Sequence, residues 1–107
     1  MAVDLKGLGA VTVVTAGTAV PLSATQIITP NVVVQALSTN TGKIFVGGSN
    51  VSNSANYAAA LQPGESLEIT GPVAAGSKEE EVDLSRIYID ASSSGDQASV
   101  GYFARRP

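Results

Sequence analysis

Residues 40–69 read NTGKIFVGGSNVSNSANYAAALQPGESLEI. A turn at Asn40-Thr41-Gly42 leads into a compact apolar run, Lys43-Ile44-Phe45-Val46, and Gly47-Gly48 ends it. A connection rich in Asn and Ser follows. Gln62-Pro63-Gly64 then turns the chain into a second run, Ser66-Leu67-Glu68-Ile69-Thr70, in which Leu67 and Ile69 alternate with polar residues. A period of two marks a strand with one face in a core and the other in solvent. Pro63 presets the first φ of a type II turn and Gly64 accepts the positive second one. The stretch predicts strand, loop, turn and strand, and it carries no reactive constellation.

Toward the N-terminus, Thr29-Pro30-Asn31 is a break, and Val32-Val33-Val34-Gln35-Ala36-Leu37 beyond it is the most apolar run. Three consecutive valines predict a strand apolar on both faces, one against the core and the other under a loop or a neighbouring subunit. Only polar residues, 39–42, separate this run from Ile44-Phe45-Val46, which predicts a hairpin. Ala10 to Thr15 is β-branched and strand-forming. Ala16-Gly17-Thr18 is a turn, and Pro21 places residues 18–22 at a sheet edge or strand end. Residues 23–26, Ser-Ala-Thr-Gln, are the one place for a helical turn. Residues 1–9 read as an N-terminal arm before a single domain spanning 10–107, the alternative being a frayed end.

Toward the C-terminus, Gly71-Pro72 is a break and residues 78–83 hold the one charge run, Lys-Glu-Glu-Glu-Val-Asp. Residues 84–91 predict a strand with Ile87 and Ile89 on one face and Arg86, Tyr88 and Asp90 on the other. Ser92-Ser93-Ser94-Gly95-Asp96 turns the chain, and Gln97 to Phe103 closes it with Ala98, Val100 and Tyr102 alternating. Residues 49–60 read as an ordered loop pinned by Val51, Tyr57 and the alanines 58–60. Roughly six to eight short strands with no helix predict an all-β fold, a small antiparallel β-sandwich of jelly-roll or immunoglobulin-like type.

The 107-residue chain has no Cys, His or Trp. Disulfides, thiolate chemistry and the commonest zinc ligands are therefore excluded. Charged residues are 14% of the chain, below the usual quarter or so. Polarity comes instead from Ser, Thr, Asn and Gln, which enter contacts without the desolvation cost of an ion. A net charge of −3 with six Lys and Arg cannot build the basic face that nucleic acid requires. No run approaches the ~18 apolar residues of a spanning helix, and the first residues lack a signal-peptide pattern. We therefore expect no direct nucleic-acid or membrane partner, and synthesis in a cytoplasm.

The candidate chemical sites are weak. Asp90-Ala91-Ser92-Ser93-Ser94-Gly95 matches the start of a calcium loop, but its twelfth position is Gly101 instead of Glu; a Ser-Gly-Asp turn is the simpler reading. The acids of residues 79–83 form a solvated loop, or else a contact for a basic capsid or subunit surface. Gly47-Gly48-Ser49-Asn50 lacks the Lys-Ser/Thr ending of a phosphate loop. Asn50-Val51-Ser52 fits a glycosylation sequon without a secretory signal. Glu65, Glu68 and Asp90 supply carboxylates without a supporting spacing. The expectation is no enzyme, no catalytic residue, no metal and no cofactor. The low aromatic content, 5%, also counts against a sugar-stacking surface.

Gly42-Lys-Ile-Phe-Val-Gly47, then Val51, then Leu61-Gln-Pro-Gly-Glu-Ser-Leu-Glu-Ile69, with Ile87-Tyr-Ile-Asp-Ala-Ser92 and Val11-Thr-Val-Val-Thr-Ala-Gly-Thr-Ala-Val20, resemble the small all-β virion proteins of tailed bacteriophages. The resemblance covers nearly the whole chain, and its motifs are structural. It implies a capsid decoration (cement) protein on the outer surface of the virion, bound to the major capsid protein and to itself as a homo-oligomer, a trimer favoured over a dimer. Two other roles stay open: a neck, tail or fibre-base adaptor or host-binding module, and a carbohydrate-binding sandwich. Loops and ends carry binding more often than sandwich faces. The expected contact residues are Val3, Leu5, Val51, Tyr57, Tyr88, Arg105 and Arg106.

Overall fold

The computed structural model describes residues 3–70 and 82–105. Among them are ten strands: β1 (Val3–Thr12), β2 (Val20–Pro21), β3 (Ile28–Thr29), β4 (Asn31–Ala36), β5 (Ile44–Gly47), β6 (Tyr57–Leu61), β7 (Ser66–Thr70), β8 (Val82–Asp83), β9 (Tyr88–Ala91) and β10 (Gln97–Arg105). One 3-10 turn, Leu84–Arg86, precedes β9.

Every strand pairs with the strand equally far from the other end of the series. β5 pairs with β6, β4 with β7, β3 with β8, β2 with β9 and β1 with β10, all antiparallel. The chain is thus one long nested hairpin whose tip is the connection between β5 and β6. Rolling that ribbon joins β10 to β4 and β9 to β5. Two four-stranded sheets result, ordered β1-β10-β4-β7 and β2-β9-β5-β6, with β3-β8 as a short third pair. This is a jelly roll, one of the two sandwich types expected.

The core lies between the two large sheets. Val32, Val34 and Ala36 of β4 and Ala98 and Val100 of β10 meet Ile44 and Val46 of β5, Leu61 of β6, and Ile89 and Ala91 of β9. Val13, Leu22 and Leu84 close its ends. Each fully buried Val, Leu or Ile contributes about 1.5–3 kcal/mol relative to exposure.

Several expectations are corrected. The first strand starts at Val3 instead of Ala10 and ends at Thr12, so much of the expected arm is one side of the β1–β10 ladder. Residues 23–26 make no helical turn; the Ser23 hydroxyl accepts from Thr25 N at 3.2 Å and holds a bend. β4 and β5 do not form a hairpin but lie in opposite sheets. Both sides of β4 are already taken, by β10 and β7, so residues 39–42 cross between layers. The crossing is held by Asp96, whose two carboxylate oxygens accept from Thr41 N (3.0 Å) and Gly42 N (2.8 Å). Asn40 adds a two-way bond to the backbone of Gln97. A Cβ on Gly42 would collide with the Ser92 hydroxyl, so glycine permits the approach.

The turn at residues 62–65 forms as expected, with Glu65 N donating to Gln62 O at 2.9 Å and Gly64 at φ 89°. Leu67 and Ile69 face inward while Ser66, Glu68 and Thr70 are exposed.

Candidate assembly interface

β1 is the edge strand of its sheet, and its neighbour β10 sets its register. Leu5 stands opposite Phe103, Lys6 opposite Tyr102 and Gly7 opposite Gly101. The register then slips by one residue, leaving Leu8 unpaired before Gly9 (φ 95°) resumes opposite Val100. Such a bulge bends and twists a strand. The β10–β4 ladder ends at Tyr102↔Val32, so residues 3–5 and 103–105 continue past it as a two-stranded ribbon. The Thr29 hydroxyl, itself buried, donates to the Phe103 carbonyl and ties the ribbon to the body.

Residues 5–10 are exposed throughout, on both faces of the strand. Leu5 is 70% exposed and Leu8 37%. Val14, just beyond the strand, is 73% exposed. The cause lies in the other sheet, whose edge strand β2 has only Val20 and Pro21. A ten-residue edge with apolar side chains and, among the described residues, no strand on its outer side is the feature that sandwich proteins usually shorten, charge or cover.

The tip of the nested hairpin behaves differently. Residues 48–56 form a tight loop, and Val51 is buried within it at 5% exposure. Val51 N donates to Gly48 O, Ser52 N to Ala55 O, and the Ser52 hydroxyl to Ala55 O. Asn53 Nδ2 donates to Ala91 O at 3.0 Å, bonding the loop to β9. Tyr57 packs its ring on Phe45 at a centroid distance of 4.9 Å. The expected loop of residues 49–60 therefore ends earlier, since Tyr57–Leu61 is strand β6 along β5. Val51 pins the loop and is not available for contact. Tyr57, 45% exposed, is.

Tyr88 lines an open cleft of about 340 Å³ with Ser49, Ser85 and Arg86. The Arg86 side chain is 86% exposed, and its Nε lies 3.9 Å from the Asp83 carboxylate. The cleft offers a guanidinium, a phenol and two hydroxyls, of which that of Ser85 donates to the Asp83 carboxylate at 2.7 Å. Asp83 itself is engaged inward. The Gln26 side-chain amide donates to it, and so do the hydroxyl and N–H of Ser85. These bonds, that from Gln26 first, hold its carboxyl below the usual carboxylate range.

Val3 and Arg105 are register partners at the tip of the ribbon. Arg106 lies outside the described residues, as do the other acids of residues 79–83. Glu65 and Glu68 accept from Gln62 N and from the Asn31 side chain, while Asp90 sits in the opposite sheet, so the three carboxylates are not brought together. Asp90 is also not the exposed residue its alternation predicts. It is fully buried, accepting at Oδ1 from Gly17 N and Ala91 N. In the turn that mimics a calcium loop, the Ser92 and Ser94 hydroxyls accept from Lys43 N and Ala16 N. These hydroxyls and Asp90 Oδ1 serve the backbone, while Asp90 Oδ2 is buried without a hydrogen-bond partner among the described residues. Among the described residues, no group of three or more His, Cys, Asp or Glu could hold a metal ion.

Of the residues named from sequence, Leu5, Tyr57 and Tyr88 present surface; Tyr57 and Tyr88 both stand opposite Gly47, one on each side of β5, while Leu5 lies on the edge of the other sheet. Leu8, Val14 and Arg86 were missed. Leu8 had a signal in the glycines on either side of it, which mark a bulge within a strand. No protein-family model matches the chain, and no curated protein or solved structure matches it either.

Proposed function

We propose that the chain is a structural protein of a tailed-bacteriophage virion, a decoration protein that binds the outer capsid surface and bridges neighbouring capsid subunits. The observation that carries this reading is β1, a long edge strand exposed on both faces and unpaired on its outer side among the described residues. The resemblance of residues 42–47, 61–69 and 87–92 to small virion proteins supports it. The jelly roll is used by viral capsid proteins, among other classes, and by itself assigns no role. The mechanism is physical: many copies, each making modest contacts with the major capsid protein and with one another, act together against the outward pressure of packaged DNA.

The test is binding to purified capsids. Mature, expanded shells take up the protein at near-stoichiometric copy number, and compact precursor shells bind it poorly. Protein found on tails alone would replace this reading with the adaptor role. The cleft at Ser49, Ser85, Arg86 and Tyr88 favours a second reading, binding of a glycan. A glycan-array signal that the Arg86→Ala variant abolishes would support it.

A further inference from the structure

We infer that β1 pairs with β1 of a second copy, antiparallel about a two-fold axis through Leu5, to make one continuous eight-stranded sheet. The inference rests on the assembly role given to this edge above, but not on the capsid as partner. Three observations carry it.

The first is the edge itself. An antiparallel strand turns the N–H and C=O of alternate residues to each side, and among the described residues β1 has a ladder only on its β10 side. The free side is a ready template for another strand.

The second is charge. The segment Val3-Asp4-Leu5-Lys6-Gly7 is self-complementary only when Leu5 meets Leu5 of the second copy. That register sets Asp4 of each chain opposite Lys6 of the other, twice. Centring on Asp4 or on Lys6 sets like charges face to face, and centring on Gly7 sets Lys6 against Leu8. Opposite charges directly across a ladder stabilise it, and like charges oppose it.

The third is the apolar face. Leu5 is 70% exposed and stands opposite Phe103, so both share one face of the sheet. The two-fold pairing extends that row to Phe103, Leu5, Leu5 and Phe103 across two copies. The bulge at Leu8 limits the ladder to residues on its N-terminal side. The pairing is therefore short, and the dimer is weak and concentration-dependent, below the size of standard stable interfaces. It also closes at two copies, because an isologous edge is satisfied by one partner. The trimer implied by resemblance does not follow from this edge.

The chain has no cysteine, so a single introduced thiol reports on one position. Directly opposed residues of antiparallel strands lie within disulfide range. Under air oxidation, Leu5→Cys forms a covalent dimer about tenfold faster than Ser66→Cys, which places the thiol on the exposed opposite edge strand, β7. Adding Lys6→Asp to Leu5→Cys slows the cross-link several-fold, and adding Asp4→Lys as well restores it. Equal rates at Leu5 and Ser66, or a charge reversal without rescue, would overturn the inference. A dimer that ignores capsids removes the decoration reading and leaves this one standing; a monomer that binds capsids does the reverse.

Discussion

Residues 42–47 and residues 5–10 are both strand-forming segments with apolar side chains, and the fold treats them oppositely. In the first, Ile44, Phe45 and Val46 are all buried. Ile44 and Val46 point into the core between the sheets. Phe45 is covered on the outer face by Tyr57 and, with Val51 beside Gly47, belongs to a small second layer. In the second, Leu5 to Ala10 are exposed without exception. The difference is the number of partners. Among the described residues, β5 has a strand on each side and a layer on each face, whereas β1 has one strand and no covering layer. Apolar residues in the tip of the hairpin are used for folding, and those at its open end are left exposed.

That contrast predicts opposite responses to mutation. The largest effect is expected at Ile44, which is fully buried. Ile44→Ala should lower stability by about 2–5 kcal/mol, seen as a lower denaturant midpoint at unchanged m-value. Next comes Asp96→Ala, which strips the acceptor from Thr41 N and Gly42 N at the crossing between sheets. A cost of about 2–3 kcal/mol follows from losing hydrogen bonds to a charged group, and Asp96→Asn should recover part of it. Gly42→Ala should cost about 1–3 kcal/mol, because the added methyl overpacks against Ser92. At the other extreme, Leu5→Glu should change stability by no more than about 0.5 kcal/mol while abolishing self-association in sedimentation velocity. A Leu5→Glu protein that unfolds more easily than Gly42→Ala would break the contrast.

The same contrast explains what was legible in the sequence. Period-two alternation identified β7 and β10 and their inward residues, and Pro63-Gly64 identified its turn, because these signals are local. The supposed hairpin between β4 and β5 failed although its connection has ordinary hairpin composition. Whether two successive strands pair or separate depends on β10 and β7, which arrive much later in the chain and occupy both sides of β4. Asp90 failed for a related reason. Alternation places it correctly on the face opposite Ile89, but the turn carrying Gly17 folds over that face and buries it. Leu5 was legible as a contact residue only by its position near an end. That the strand containing it would have a two-residue counterpart in the other sheet is a property of the rolled ribbon.

Hydrogen exchange on the free protein across a concentration series tests the central claim most directly. If the open end of the hairpin exists to be paired, β1 amides pointing away from β10 gain protection as concentration rises, and those of residues 42–47 stay protected throughout. Outward β1 amides that exchange at the same fast rate at every concentration would contradict it.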